Sequence, residues 1–231
     1  MEILDIEQGT PEWHAARRCT VTGTKLEDVM GTALARTQLI AELIAEEGTE
    51  QSKIIRPTEE MQRGTDEEEF AVKLFEEVTG KKLKRGGMWR SGEFDYLAYS
   101  PDAYEQEENG DILEAIEVKN PDSKTVIFNR LANLVPLDEL GLTKSKHPFL
   151  GVPQQYKWQC VDAFLVNPKL RKLHFVQHDA RFIDPKAKLS VVTLDADNEV
   201  LQEAIKEARL ALVKFREDWQ NWKELVLPDN F

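Results

Sequence analysis

The stretch Ile112-Leu113-Glu114-Ala115-Ile116-Glu117-Val118-Lys119 decides how this chain is read. Ile, Leu and Val dominate it, so it reads as a largely buried strand. Residues two apart on a strand point to one face, which sets the Glu117 carboxylate beside the Lys119 ammonium at the strand end. Two other acid-x-Lys triplets, Asp122-Ser123-Lys124 and Asp184-Pro185-Lys186, lie in turn-like sequence without an apolar strand. Upstream stand Ser100-Pro101-Asp102 and then Asn109-Gly110, a hairpin-type turn. An Asp delivered from the preceding hairpin beside a strand-borne acid–Lys pair suits a divalent metal. Asp102 and Glu117 offer the hard oxygens that Mg²⁺ takes. The ion would lower the pKa of a bound water, and Lys119 would orient that water or stabilise charge in the transition state.

Working outward, 82–91 and 94–100 read as strands before this one, and 171–177 and 189–194 as strands after it. Thr10-Pro11-Glu12-Trp13 starts a first helix, with a cap, a Pro at the first helical position and an acid at the positive end, running to about residue 18. A second helix starts near Thr22 or Thr24 and stops before Gly31. A third, 37–47, places Leu39, Ile40, Leu43 and Ile44 on one stripe and ends at Gly48. A longer one, 58–79, presents Phe70, Leu74, Phe75 and Val78 as an apolar face and ends at Gly80. Helices are also expected over 125–134 and 153–166, with a long loop over 136–153 between them. The last, 199–225, repeats Leu201, Ile205, Ala208, Leu212, Phe215, Trp219 and Trp222 at spacings of three and four. Helices, strands, helix, strands, helix in that order predict an α/β fold with a central mixed sheet flanked by helices. No linker or repeat is visible, so 1–231 reads as a single domain.

Composition is ordinary for a globular protein: of 231 residues, 41% are hydrophobic and 31% charged, which excludes intrinsic disorder. Two cysteines, Cys19 and Cys160, are too few for a disulfide scaffold or a cysteine-built zinc or iron–sulfur site. They read as reduced thiols of a cytoplasmic protein. No apolar run reaches a membrane-spanning length, and the N-terminus lacks a basic segment followed by an apolar core. His14, His147, His174 and His178 show no zinc-site spacing. With 30 Lys+Arg against 42 Asp+Glu the net charge is −12, so the chain does not coat nucleic acid by bulk charge. A local basic lining remains open to it, and acids are what divalent metals need.

Pro101-Asp102 with Glu117-Val118-Lys119 resembles the PD-(D/E)xK nuclease superfamily, whose restriction-endonuclease-like fold matches the α/β order above. More narrowly, the chain is similar to the phage lambda exonuclease family of recombination nucleases. The likeness rests on Glu7-Gln8-Gly9, Trp13, Arg17 and Val21-Thr22-Gly23-Thr24, then on Gly64, Glu68, Leu74-Phe75 and Gly80. The two metal-site segments follow, and Tyr156 with Gln159 matches a Tyr-x-x-Gln helix, the similarity continuing through 169–181. Gly23-Thr24 stands where that family usually has Ala-Ser, and Asn120-Pro121 where a close relative has Cys-Pro.

The resemblance implies that Asp102, Glu117 and the Val118 carbonyl bind Mg²⁺, with Mn²⁺ as a substitute. It makes Lys119 the catalytic lysine, with Glu68 and Gln159 completing the site. Arg17, with Trp13 and Thr24 nearby, would hold the 5′-phosphate of the DNA. A guanidinium suits that anion, and a helix N-terminus near Thr24 would add donors. Family members digest one strand of linear double-stranded DNA in the 5′→3′ direction and leave a 3′ single strand. They assemble as ring-shaped homotrimers and work with a single-strand annealing protein, which points to phage or prophage origin and the cytoplasm of a bacterial host. Two other readings share the metal residues: an endonuclease of restriction or repair type, and an inactive DNA-end-binding subunit on the same fold.

Overall fold

A computed structural model describes residues 1–51 and 58–227. Strand β1 (Glu2–Leu4) leads into helix α1 (Pro11–Arg17), then β2 (Val21–Thr22), α2 (Gly23–Met30), α3 (Ala33–Thr49) and α4 (Glu59–Thr79). Five strands follow: β3 (Lys84–Arg85), β4 (Met88–Arg90), β5 (Leu97–Tyr99), β6 (Ala103–Gln106) and β7 (Ile112–Lys119). Helices α5 (Ser123–Leu134) and α6 (Lys157–Val166), strands β8 (Lys172–His178) and β9 (Leu189–Asp195), and helix α7 (Glu199–Val226) complete the chain.

The fold is the expected α/β arrangement of mixed sheets flanked by helices, with the strands divided between two sheets. One sheet runs β1-β4-β5-β2 and the other β3-β6-β7-β8-β9. Strand β7 lies at the centre of the larger sheet, antiparallel to β6 and parallel to β8. The Asn109-Gly110 turn does join an antiparallel pair, with Gly110 at φ +85°. The expected strand over 82–91 is instead two short strands in different sheets, because Gly86 and Gly87 take φ of +81° and +83° and turn the chain between them. Strands β1, β2 and β6 have no counterpart in the sequence reading. Two are only two or three residues long, and none carries a long apolar run.

Local signals placed most helices. Thr10 caps α1 by accepting from Trp13 N–H at 3.2 Å, and Asp122 caps α5 by accepting from Thr125 N–H at 2.9 Å. Gly80 ends α4 at φ +71°, whereas Gly48 lies inside α3, which runs on to Thr49. The apolar face expected on α4 is corrected: Phe70 and Val78 are exposed, and Ala71, Val72 and Phe75 are buried. Those three meet Ala103, Ile116, Val118 and Val176, so α4 covers one face of the larger sheet. Ala115, Leu173 and Phe175 point the other way, into the main core with α6, α2, α3 and α7. Strand alternation therefore turns Glu117 and Lys119 away from α4 and toward α6. Trp219 is buried in the main core and Trp222 packs against it, as their spacing suggested. No helix among the described residues is long and apolar enough to cross a membrane.

Candidate active site

The C-terminal end of β7 carries two of the expected residues and collects the others around it. Glu117 is 2% exposed, and three elements donate to it. Lys119 Nζ and Gln159 Nε2 reach Oε1 at 2.6 and 2.5 Å, and the Tyr99 hydroxyl reaches Oε2 at 2.6 Å. These donors come from β7 itself, α6 and β5. A buried carboxylate so bonded is fixed in place and protected from the cost of desolvation. Tyr99 was not anticipated. Its signal was a Tyr three residues before Asp102, in a stretch read only as strand.

Asp102 stands one residue before β6, where its N–H donates to the Ile116 carbonyl at 3.1 Å. Its Oδ2 accepts from Val118 N–H at 2.6 Å, so the carboxylate is tied to the backbone between Glu117 and Lys119. Glu68 comes from α4 and pairs with Arg85 at 3.3 Å. Burial raises the Asp102 carboxyl well above its ordinary value, and the charges of Glu117 and Glu68 push the same way. Burial also raises Glu68, with Arg85 opposing and Glu117 adding. Burial works against the Lys119 ammonium, yet Glu117 and Asp102 outweigh it and hold this lysine above the usual lysine value. Tyr156 completes the surround, its ring 5.3 Å from Lys119 Nζ.

With three carboxylates gathered here, and Asp102 and Glu68 both raised in part by the charge of Glu117, the site is short of positive charge. That fits a divalent cation. Among the described residues no group of three or more His, Cys, Asp and Glu side chains forms a metal cage. Asp102, Glu117 and the Val118 carbonyl make a sparser set, two carboxylates and one carbonyl. Such a set suits Mg²⁺, which keeps several of its waters. No histidine joins the cluster: His174 bonds Glu114 and Thr193, each at 2.9 Å.

The other expected group lies around α1 and β2. The Arg17 guanidinium sits over the Trp13 ring at 4.2 Å and donates to the Thr22 hydroxyl at 3.1 Å. Thr24 is exposed in the first turn of α2. The hydroxyl that holds Arg17 is thus that of Thr22. Burial lowers the Arg17 pKa, and Asp162 and Glu46 oppose that shift. Asp162, on α6 one turn beyond Gln159, has no exposed surface and no hydrogen-bond partner for either oxygen. Burial raises its pKa, opposed by Arg17. Sequence offered no sign of it, since an Asp within a helix reads as surface. A Cβ on Gly23 would stand 2.8 Å from Gln159 Cγ, so the start of α2 touches the residue that bonds Glu117. The Arg17 corner and the carboxylate cluster are therefore neighbours.

The sequence matches the YqaJ-like viral recombinase domain over residues 12–167. No curated protein matches it significantly. Among solved structures, an alkaline exonuclease from Laribacter hongkongensis, also determined in complex with dAMP, is similar with a TM-score of 0.68 and 24% identity. That similarity covers 93% of this chain and 97% of the other. A phage-related exonuclease from Haemophilus somnus 129PT is similar with a TM-score of 0.61 and 17% identity, over 89% of this chain and 96% of the other. At these identities the likeness to the two structures is one of fold.

Proposed function

This chain belongs to the family of YqaJ-like viral recombinase domains, and from that premise we propose that it is a recombination exonuclease acting on the ends of double-stranded DNA. It digests one strand 5′→3′ and leaves a 3′ single strand for annealing. Asp102, Glu117 and the Val118 carbonyl hold Mg²⁺, or Mn²⁺ in its place. When bound, the ion supplies Lewis acidity toward a phosphodiester oxygen and acidifies a nearby water. Lys119 orients the attacking water and offsets negative charge as the phosphorus is attacked. Gln159 and Tyr99 keep the Glu117 carboxylate from turning away. Glu68 adds charge from the α4 side. Arg17, stacked on Trp13, takes the 5′-phosphate, assisted by Thr24 at the start of α2.

The observation that carries this reading is the position of Gln159. Its amide bonds Glu117, and its side-chain carbon lies against Gly23 beside the Arg17 corner. A strand-end carboxylate cluster adjoining an anion-binding corner suits an enzyme that cuts next to a terminal phosphate. An endonuclease needs no such neighbour. The partners that follow are a single-strand annealing protein and two further copies of the chain in a ring around the duplex. The setting is the cytoplasm of a bacterial host, with phage or prophage origin, and 1–231 acts as one nuclease domain. DNA binding weakens steeply with added salt, because phosphate contacts release counterions.

The test uses linear duplex labelled at one 5′ end, with or without a 5′-phosphate, in Mg²⁺ or EDTA, beside covalently closed circular DNA. K119A is the matched control. Mg²⁺-dependent release of nucleotide from the phosphorylated end, lost in K119A, is the expected result. Cleavage of the circle would move the assignment to an endonuclease, and binding without turnover to an inactive end-binding protein.

A further inference from the structure

Asn120 follows Lys119 directly and leaves the sheet. Two hydrogen bonds running in opposite senses tie it to the first turns of α4. Arg63 Nη2 donates to the Asn120 carbonyl at 2.9 Å, and Asn120 Nδ2 donates to the Gly64 carbonyl at 2.7 Å. Arg63 is itself steadied one turn on by Glu67, whose two oxygens each lie 3.3 Å from Nη1. Gly64 is four residues before Glu68, one helical turn, so the clamp closes on the stretch of helix that carries the Glu68 carboxylate. Elsewhere α4 meets the sheet through the Glu68–Arg85 pair and, beyond Glu68, through the side chains of Ala71, Val72 and Phe75. Side-chain packing of that kind tolerates sliding, whereas a pair of opposed backbone-directed hydrogen bonds fixes a register.

We infer that Asn120 is a positioning residue which, with Arg63, sets Glu68 against the Asp102–Glu117–Lys119 cluster. The inference rests on the proposed role of Glu68 and adds what holds Glu68 there. Asn suits the task through its donor. The Asn120 Oδ1 atom is buried without a partner, so the amide N–H₂ is the half of the side chain in use. A Cβ on Gly64 would meet nothing within 4 Å. The backbone carbonyl of residue 64, and not the absence of a side chain there, is what the clamp uses. Pro121, the next residue, gives its carbonyl to Arg181 at 3.1 Å, so the chain leaving β7 is gripped from a second side. That second grip is a bond to Arg181, whereas the Asn120 clamp links Lys119's neighbour to the turn preceding Glu68.

The test is a double-mutant cycle on kcat for linear duplex, using wild type, N120A, E68Q and N120A/E68Q, each with its thermal midpoint. A misplacement of a catalytic group by a fraction of an ångström to one ångström costs about ten- to a hundredfold. N120A is expected to lower kcat about tenfold when Glu68 is present and less than twofold in the E68Q background, since a residue acting through Glu68 has nothing left to position. R63K, which keeps a donor, recovers part of the loss seen in R63A. N120D, the same size without the donor, matches N120A or exceeds it. If N120A does not fold, R63A takes its place in the cycle, because it removes one clamp bond from outside the sheet. Equal losses from N120A in both backgrounds would show general damage to the strand end and overturn the inference. Wild-type kcat in N120A, with E68Q impaired, would also overturn it. Wild-type kcat in E68Q would instead overturn the assignment of Glu68 and the inference with it.

Discussion

Glu117 and Arg17 are the two charges around which the proposed site is built, and the chain holds them in different ways. Glu117 is 2% exposed and receives donors from β5, β7 and α6, and two of the three, Tyr99 and Gln159, are long-range partners brought to it by tertiary structure. Arg17 ends a seven-residue helix, stacks on a side chain of that same helix, and has one hydrogen bond to a two-residue strand. The carboxylate is over-determined by tertiary structure, while the guanidinium is placed by local structure that can yield. Chemistry at a scissile bond requires the first kind of support. A group that must grip and release a chain terminus at every step is served by the second. The two regions should therefore fail separately when mutated.

The largest effect is expected in the rigid region. D102N keeps an oxygen for the Val118 N–H and removes the charge that Mg²⁺ needs, so turnover should fall about a thousandfold or more. Stability should move the opposite way. Burial, Glu117 and Glu68 all penalise the ionised Asp102 carboxylate, so its replacement relieves repulsion in the metal-free protein. A rise of about 2–4 °C in the thermal midpoint in EDTA accompanies each kcal/mol relieved in a chain of this size. Loss of both activity and stability would mean that Asp102 holds the strand pair together and that the functional account of this region is wrong.

R17A tests the yielding region. Charge-assisted bonds to a phosphate are worth about 1.5–3 kcal/mol, so preference for 5′-phosphorylated over 5′-hydroxyl ends should drop about ten- to a hundredfold. Digestion from 5′-hydroxyl ends should keep its rate, since the carboxylate cluster is untouched. A parallel fall on both kinds of end would show that the two regions are one. Y99F then asks how over-determined Glu117 is. One of three donors is lost, at about 1 kcal/mol, and kcat should fall about threefold to tenfold while Lys119 and Gln159 hold the carboxylate.

The same contrast explains what could be read in the sequence. The Asp102–Glu117–Lys119 group was legible because strand alternation alone places Glu117 and Lys119 together, and a hairpin turn places Asp102. Gln159 could be singled out only through the Tyr-x-x-Gln spacing, and the structure puts its amide on Glu117. Tyr99, Asn120, Arg63 and Asp162 were not legible. Each acts through a partner at least 18 residues away or through burial by another element, and no short period records either. Strands β1 and β2 were missed because two or three residues carry no periodicity. The face of α4 was misjudged for a related reason. Phe70 and Val78 satisfy a helical spacing, but the sheet meets the small face at Ala71 and Val72, and only the packing decides between them.

The smallest effect concerns the outer grip on the strand end, where Arg181 joins Asp179 to the Pro121 carbonyl. Burial works against ionisation of Asp179, yet donors from Arg181 and Ser123 outweigh it and bring its carboxyl down to about 2. In the unfolded chain an Asp titrates near 3.9. A carboxyl whose pKa is depressed by folding stabilises the fold above the unfolded value. That contribution is lost as pH falls through the interval from about 4 to about 2. Arg181 is half exposed and solvent screens the pair, so the contribution is on the order of 1 kcal/mol. R181A should accordingly unfold at lower urea than wild type at pH 7, with the gap closing as pH is lowered from 4 toward 2. Activity at neutral pH should change less than in Y99F, because Arg181 is hydrogen-bonded to Asp179 and Pro121 and not to Glu117 or Glu68. A gap in urea midpoint that stays constant down to pH 2 would place the loss in the backbone bond to Pro121. The strand end would then owe nothing to the ion pair, and its rigidity would rest on hydrogen bonds like those that hold Glu117.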